Sequence, residues 1–92
     1  NPIFKKKRQL EMQLEKHYPE QYFSKYSMVT FNENIGYHEA MTKGRAQDKA
    51  ILNMIADNEI DLNDDLSVLL KIVQEKTNDI IDDDNVAKTM HH

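Results

Sequence analysis

Only one stretch of this 92-residue chain favours extended backbone. It is Tyr26-Ser27-Met28-Val29-Thr30-Phe31, where β-branched and aromatic residues cluster. A strand must pair with another, and no second run of this kind exists to pair with it. The chain cannot build a sheet from its own residues. Two Gly and two Pro are also too few for the turns of a sandwich or barrel. The expected fold class is therefore all-α: a small bundle of about three helices, with 26–31 undecided between strand and helix. The length allows one domain.

Asn1-Pro2 reads as a helix start, with Asn as cap and Pro at the first helical position. Ile3, Leu10, Leu14 and Tyr18 fall on one stripe, and Pro19 stops that helix. Pro19 to Phe23 suits a short helical turn, and 32–36 reads as a loop. Tyr37 to Asn58 carries the clearest helical period, through Tyr37, Met41, Gly44, Asp48, Ile51 or Leu52, and Ile55. Gly44 inside it costs about 1 kcal/mol relative to Ala, which implies close packing against another backbone. Asn63-Asp64-Asp65 opens the next helix, striped with Leu66, Leu69, Leu70, Val73, Ile80 and Ile81. Asp82-Asp83-Asp84 opposes the dipole at a helix C-terminus, so the helix is expected to fray there. Residues 1–83 thus read as one helical domain and 84–92 as a disordered tail. His91-His92 looks like the start of an affinity tag. A first residue other than Met suggests further chain upstream.

Charge divides the sequence. Residues 1–50 hold nine Lys/Arg against six Asp/Glu, and residues 51–92 hold three against ten. The acidic second half argues against generic nucleic-acid binding, which needs phosphate-neutralising cations. The basic cluster Lys5-Lys6-Lys7-Arg8 reads first as a solvated face and second as a patch for an acidic partner. No apolar run approaches the roughly 20 residues of a membrane span. With no Cys, thiol chemistry and disulfides are excluded.

Catalytic motifs are absent. Gly36 and Gly44 cannot form a phosphate cradle. His17 and His38 stand singly, without the second helical His of a zinc protease. Asp57, Glu59, Asp61, Asp64 and Asp65 lack the Gly and closing Glu of a calcium loop. The densest feature is aromatic: Tyr18, Tyr22, Phe23, Tyr26, Phe31 and Tyr37. It can serve as core for three packed helices, or as the wall of a pocket with a Tyr hydroxyl as polar handle.

Tyr22-Phe23-Ser24-Lys25-Tyr26-Ser27-Met28-Val29-Thr30-Phe31, followed by Tyr37, Glu39-Ala40-Met41, Gly44-Arg45, Gln47 and Ile51-Leu52, resembles the C-terminal region of kynurenine 3-monooxygenases. The likeness covers about a third of the chain closely and Pro2 to Pro19 more loosely. Residues 60–92 take no part in it. The family are FAD-dependent aromatic hydroxylases that use NADPH and dioxygen to convert kynurenine to 3-hydroxykynurenine. The resemblance implies that this chain is the non-catalytic helical C-terminal part of a larger α/β flavoprotein, capping the substrate pocket. It implies no cofactor in this stretch, with FAD and NADPH held upstream. Its partners would be the upstream flavin and substrate domains and, in the parent, kynurenine, with no nucleic acid and no membrane. Tyr26 and Thr30 match the family's substrate-binding positions, and Met28, Phe31 and Tyr37 would pack near the pocket. The arginine and asparagine that hold the substrate carboxylate have no counterpart here. Gly36 stands where many relatives have Pro. The acidic polar end, in place of a membrane anchor, is similar to the soluble bacterial type and implies a cytoplasmic location. The competing expectation is a self-standing helical interaction module, whose basic first helix and acidic last helix could pair head to tail.

Overall fold

The computed structural model describes residues 2–27 and 35–90, with backbone alone at 35–38 and 88–90. Three helices follow one another: α1 (Pro2–His17), α2 (Ile35–Ala56) and α3 (Leu66–Met90). Two 3-10 turns, Pro19–Gln21 and Ser24–Tyr26, lie between α1 and α2. No strand occurs among the described residues. The lone strand-like run therefore begins helically: Tyr26 closes a 3-10 turn and Ser27 N donates to Ser24 O at 3.0 Å. Met28 to Phe31 lie outside the described residues.

Each helix begins and ends for a local reason. Pro2 occupies the first turn of α1, where its missing N–H costs nothing. Tyr18 N makes the last bond, to Leu14 O at 2.7 Å, before Pro19 breaks the pattern. Helix α2 ends in a left-handed cap. Asn58 has φ 56°, its N–H donates to Ile55 O, and Glu59 N donates to Met54 O at 2.9 Å. This pair of bonds satisfies carbonyls that would otherwise be orphaned, and Asn tolerates the left-handed region better than most residues. Before α3, Asn63 N donates to the Asp61 carboxylate, and Asp65 O accepts from Val68 N and Leu69 N.

Helix α3 does not end at Asp82-Asp83-Asp84. It runs on to Met90, so residues 84–90 continue the helix rather than forming the start of a tail. The physical reason is position. With the helix running to 90, the three carboxylates lie six to eight residues before its end, outside the final turn over which the dipole acts. Every residue from Asp82 to Ala87 is exposed, although Asp84 and Asn85 still line a cleft against Arg45 and Lys49 of α2.

The core joins Leu10 and Leu14 of α1, Tyr22, Ile51, Met54 and Ile55 of α2, and Leu69, Leu70 and Val73 of α3. Helix α2 is the central element, packing on α1, on the Ser24–Tyr26 turn and along α3. Ile80 and Ile81 are half-buried, so the stripe expected on α3 is real but fades toward its end. Thr77 takes a stripe position too: buried, it donates to Val73 O at 2.6 Å and so brings its own acceptor into the core.

Candidate functional site

The site is built where the two motif stretches meet. Gln47 lies on the inner face of α2 and is 1% exposed. Its Oε1 accepts from Phe23 N at 2.7 Å and Ser24 N at 2.9 Å. Its Nε2 donates to Gln21 O at 2.9 Å. One side chain therefore meets three backbone groups of the irregular segment that follows α1. That segment needs it: backbone amides between two short 3-10 turns have no ladder to join, and a buried amide without a partner is costly.

Gly44, one turn earlier on α2, makes room for the same segment. A Cβ at this position would sit 2.3 Å from Phe23 O and 3.2 Å from Tyr26 Cβ. The close backbone approach inferred from a glycine inside a helix is thus present. Lys43 Nζ lies 5.4 Å from the centre of the Phe23 ring, and Lys25 Nζ 5.3 Å from that of Tyr26. Both are cation–π distances. Tyr26 is half-buried at this junction, and its N–H donates to Phe23 O at 2.9 Å. A cleft of about 240 Å³ opens beside the clamp, lined by Gln21, Phe23, Lys43, Gln47, Gln74 and Thr77.

Of the residues expected at a substrate pocket, only Tyr26 can be placed in full. Thr30, Met28 and Phe31 lie outside the described residues, and Tyr37 is described by its backbone in the first turns of α2. Of the remaining aromatic residues, Tyr22 is core, whereas Tyr18 and Phe23 are half-buried.

A second polar cluster ties α1 to both partners. Lys7 Nζ meets Glu11 Oε1 at 2.5 Å and Asp48 Oδ1 at 2.6 Å. Tyr22 Oη donates to Glu11 Oε2 at 2.6 Å. This corrects the solvated reading of the basic cluster for Lys7, which is half-buried, whereas Lys5, Lys6 and Arg8 are exposed. It also explains Asp48, a carboxylate on an otherwise apolar stripe. Burial pulls the Lys7 pKa down, but the hydrogen bonds its ammonium donates to the Asp48 and Glu11 carboxylates, with their charge, outweigh it and leave the pKa above its usual 10.5. Burial, reinforced by Glu11, pushes the Tyr22 hydroxyl up to about 12.

Both groups hold their protons more tightly folded than unfolded. The stability from Tyr22 is complete below about pH 10 and is lost as pH rises through about 12, and Lys7 acts in the same direction above its usual 10.5. The melting temperature should accordingly fall between pH 10 and 12, and Tyr22→Phe should flatten that fall. An alkaline fall of equal slope in Tyr22→Phe would place the titration elsewhere.

Among the described residues, no three His, Cys, Asp or Glu side chains gather closely enough to hold a metal ion. The acidic residues around 57–65 are used locally: Glu59 pairs with Lys76 at 2.6 Å, and Asp61 accepts from Asn63 N. No helix among the described residues is long and apolar enough to cross a membrane. No protein-family model matches the chain, and no curated protein or solved structure matches it significantly.

The functional geometry that the residue pattern did not disclose is the Gln47 clamp. Glutamine is ordinarily a surface residue, and nothing in periodicity marks one for the interior. The available signal was its place one turn after a helical glycine.

Proposed function

We propose that this chain is the helical C-terminal part of a cytoplasmic, FAD- and NADPH-dependent kynurenine 3-monooxygenase, where it caps the substrate pocket without supplying catalytic groups. The observation that carries this reading is the meeting of the two stretches on which the resemblance rests. Gly44 and Gln47 of the second stretch seat the backbone of Phe23, Ser24 and Tyr26 of the first. Two sequence signatures about twenty residues apart act as one unit, and that unit holds the tyrosine assigned to the substrate.

Gly44, the one glycine whose surroundings are described, is filled by Phe23 O and offers no room to a phosphate. In this reading the flavin is bound upstream and performs the oxygen chemistry. The present residues orient substrate and exclude water, which is what a helical cap contributes to a cofactor-driven reaction. Tyr26 supplies a hydroxyl at the pocket edge, Thr30 a second, and Met28, Phe31 and Tyr37 apolar packing.

The test is NADPH oxidation by the full-length gene product, with and without kynurenine. Stimulation by kynurenine with formation of 3-hydroxykynurenine is expected. Tyr26→Phe in that protein should lower kcat/KM for kynurenine on the order of tenfold, the scale of one lost hydrogen bond, and raise peroxide release per NADPH. Kinetics and coupling unchanged in Tyr26→Phe would remove this residue from the pocket. A full-length product with no flavin and no turnover would leave the chain as a helical interaction module.

A further inference from the structure

We infer that Gln47 is a positioning residue: its buried amide fixes the backbone from Gln21 to Ser24 and, through it, the placement of Tyr26. An amide taken out of water must recover its hydrogen bonds or destabilise the fold. Position 47 faces the interior of α2, between the fully buried or nearly buried neighbours Ala46, Ala50 and Ile51, where Met or Leu would serve packing alone. The amide instead gives three bonds to the backbone where the two short 3-10 turns adjoin, at 2.7, 2.9 and 2.9 Å.

The constraint then passes along the chain in two short links. Gln47 holds Phe23 and Ser24 by their N–H groups. Phe23 O is pressed into the gap at Gly44 and accepts from Tyr26 N at 2.9 Å. Tyr26 Cβ itself lies 3.2 Å from the position a Cβ on residue 44 would take. The backbone and Cβ of Tyr26 are therefore tied to α2 through a short path of contacts. Loosening Gln47 loosens the tyrosine while leaving the helical core in place. The consequence for turnover rests on the proposed function; the consequence for backbone order does not.

The experiment uses the full-length gene product and compares Gln47→Met with Val73→Ala, which removes core volume but no hydrogen bond of the clamp. Hydrogen exchange is read by mass spectrometry on peptides covering 21–27, and kcat, KM and peroxide per NADPH are read with kynurenine. Gln47→Met should speed exchange across 21–27 by about tenfold, the factor that ~1.4 kcal/mol of lost local stability gives, while Val73→Ala matches its melting temperature without this local change. It should also raise KM and peroxide release several-fold beyond Val73→Ala. Should Gln47→Met fail to fold, Gln47→Ala, which removes the acceptor for Phe23 and Ser24 without adding bulk, takes its place and is expected to show the same faster exchange. Unchanged exchange at 21–27 in the variant that folds overturns the inference whatever the substrate. Faster exchange with kinetics equal to those of Val73→Ala overturns the positioning role. If the unmodified protein does not act on kynurenine, the proposed function fails, and the exchange result alone decides whether Gln47 fixes the segment.

Discussion

Gly44→Ala should destabilise this domain, although alanine is the better helix former. Two effects oppose each other. Removing glycine from a helix interior is worth about 1 kcal/mol in favour of the variant. Against this, the new methyl group would stand 2.3 Å from Phe23 O. That oxygen belongs to backbone and cannot swing aside as a flexible side chain would. Reaching ordinary contact means moving the segment away from α2 by about 1 Å, and the Gln47 hydrogen bonds at 2.7 and 2.9 Å do not survive such a shift. Overpacking of this kind costs about 1–3 kcal/mol net, with Gly44→Leu at or beyond the upper end. In a domain of this size each kcal/mol moves the melting temperature by roughly 4–8 °C. Thermal unfolding followed by circular dichroism reads the result. A melting temperature raised by Gly44→Ala would mean that the segment is not seated on the helix. Because Gly44 and Gln47 serve the same segment, the double variant with Gln47→Met should cost less than the sum of the single ones.

The second large effect belongs to Ile51. Its side chain is 0% exposed, whereas its neighbour Leu52 is half-buried. Ile51→Ala should cost about 2–5 kcal/mol, since it removes contacts and leaves a cavity that the three helices cannot close. Domains of this size hold only about 5–15 kcal/mol in total, so this one truncation removes a large share of it. Leu52→Ala should cost distinctly less. Denaturant midpoints for the two variants give the comparison, and equal losses would mean that α2 is rotated about its axis from the orientation described.

That pair of residues also marks how far the sequence could be read. Periodicity placed a core position at Ile51 or Leu52 and could not choose, because neighbours on a helix differ by only 100° and either would fit a broad apolar stripe. Burial resolves it: Ile51 belongs to the core cluster that also holds Leu14 and Val73, and Leu52 does not. The three helices, the stop at Pro19 and the close approach at Gly44 were legible because each depends on local backbone chemistry. The far end of α3 was not: the rule about carboxylates at a C-terminus is sound, but it presupposes a knowledge of where the terminus is. Lys7 and Gln47 were hidden for a shared reason. Both are polar residues whose burial depends on partners distant in sequence: Asp48 for Lys7, and the backbone at 21–24 for Gln47. No local pattern announces such a pairing. For the candidate site, the residues were named by a family likeness, while the way they are held became visible only in three dimensions.

Helix α2 lies between the other elements, and α1 and α3 meet each other only along a narrow strip. Almost every large contact therefore joins a helix to the next one along the chain. Assembly can then proceed helix by helix along the chain, without waiting for the two ends to find each other. Chains with contacts of this local kind fold in microseconds to milliseconds, so the time during which apolar faces stand open to other molecules is brief. The clamp at Gln47 and the ion pair of Lys7 with Asp48 reach further along the chain, to Gln21 and to α1, so both can close only once α2 has formed.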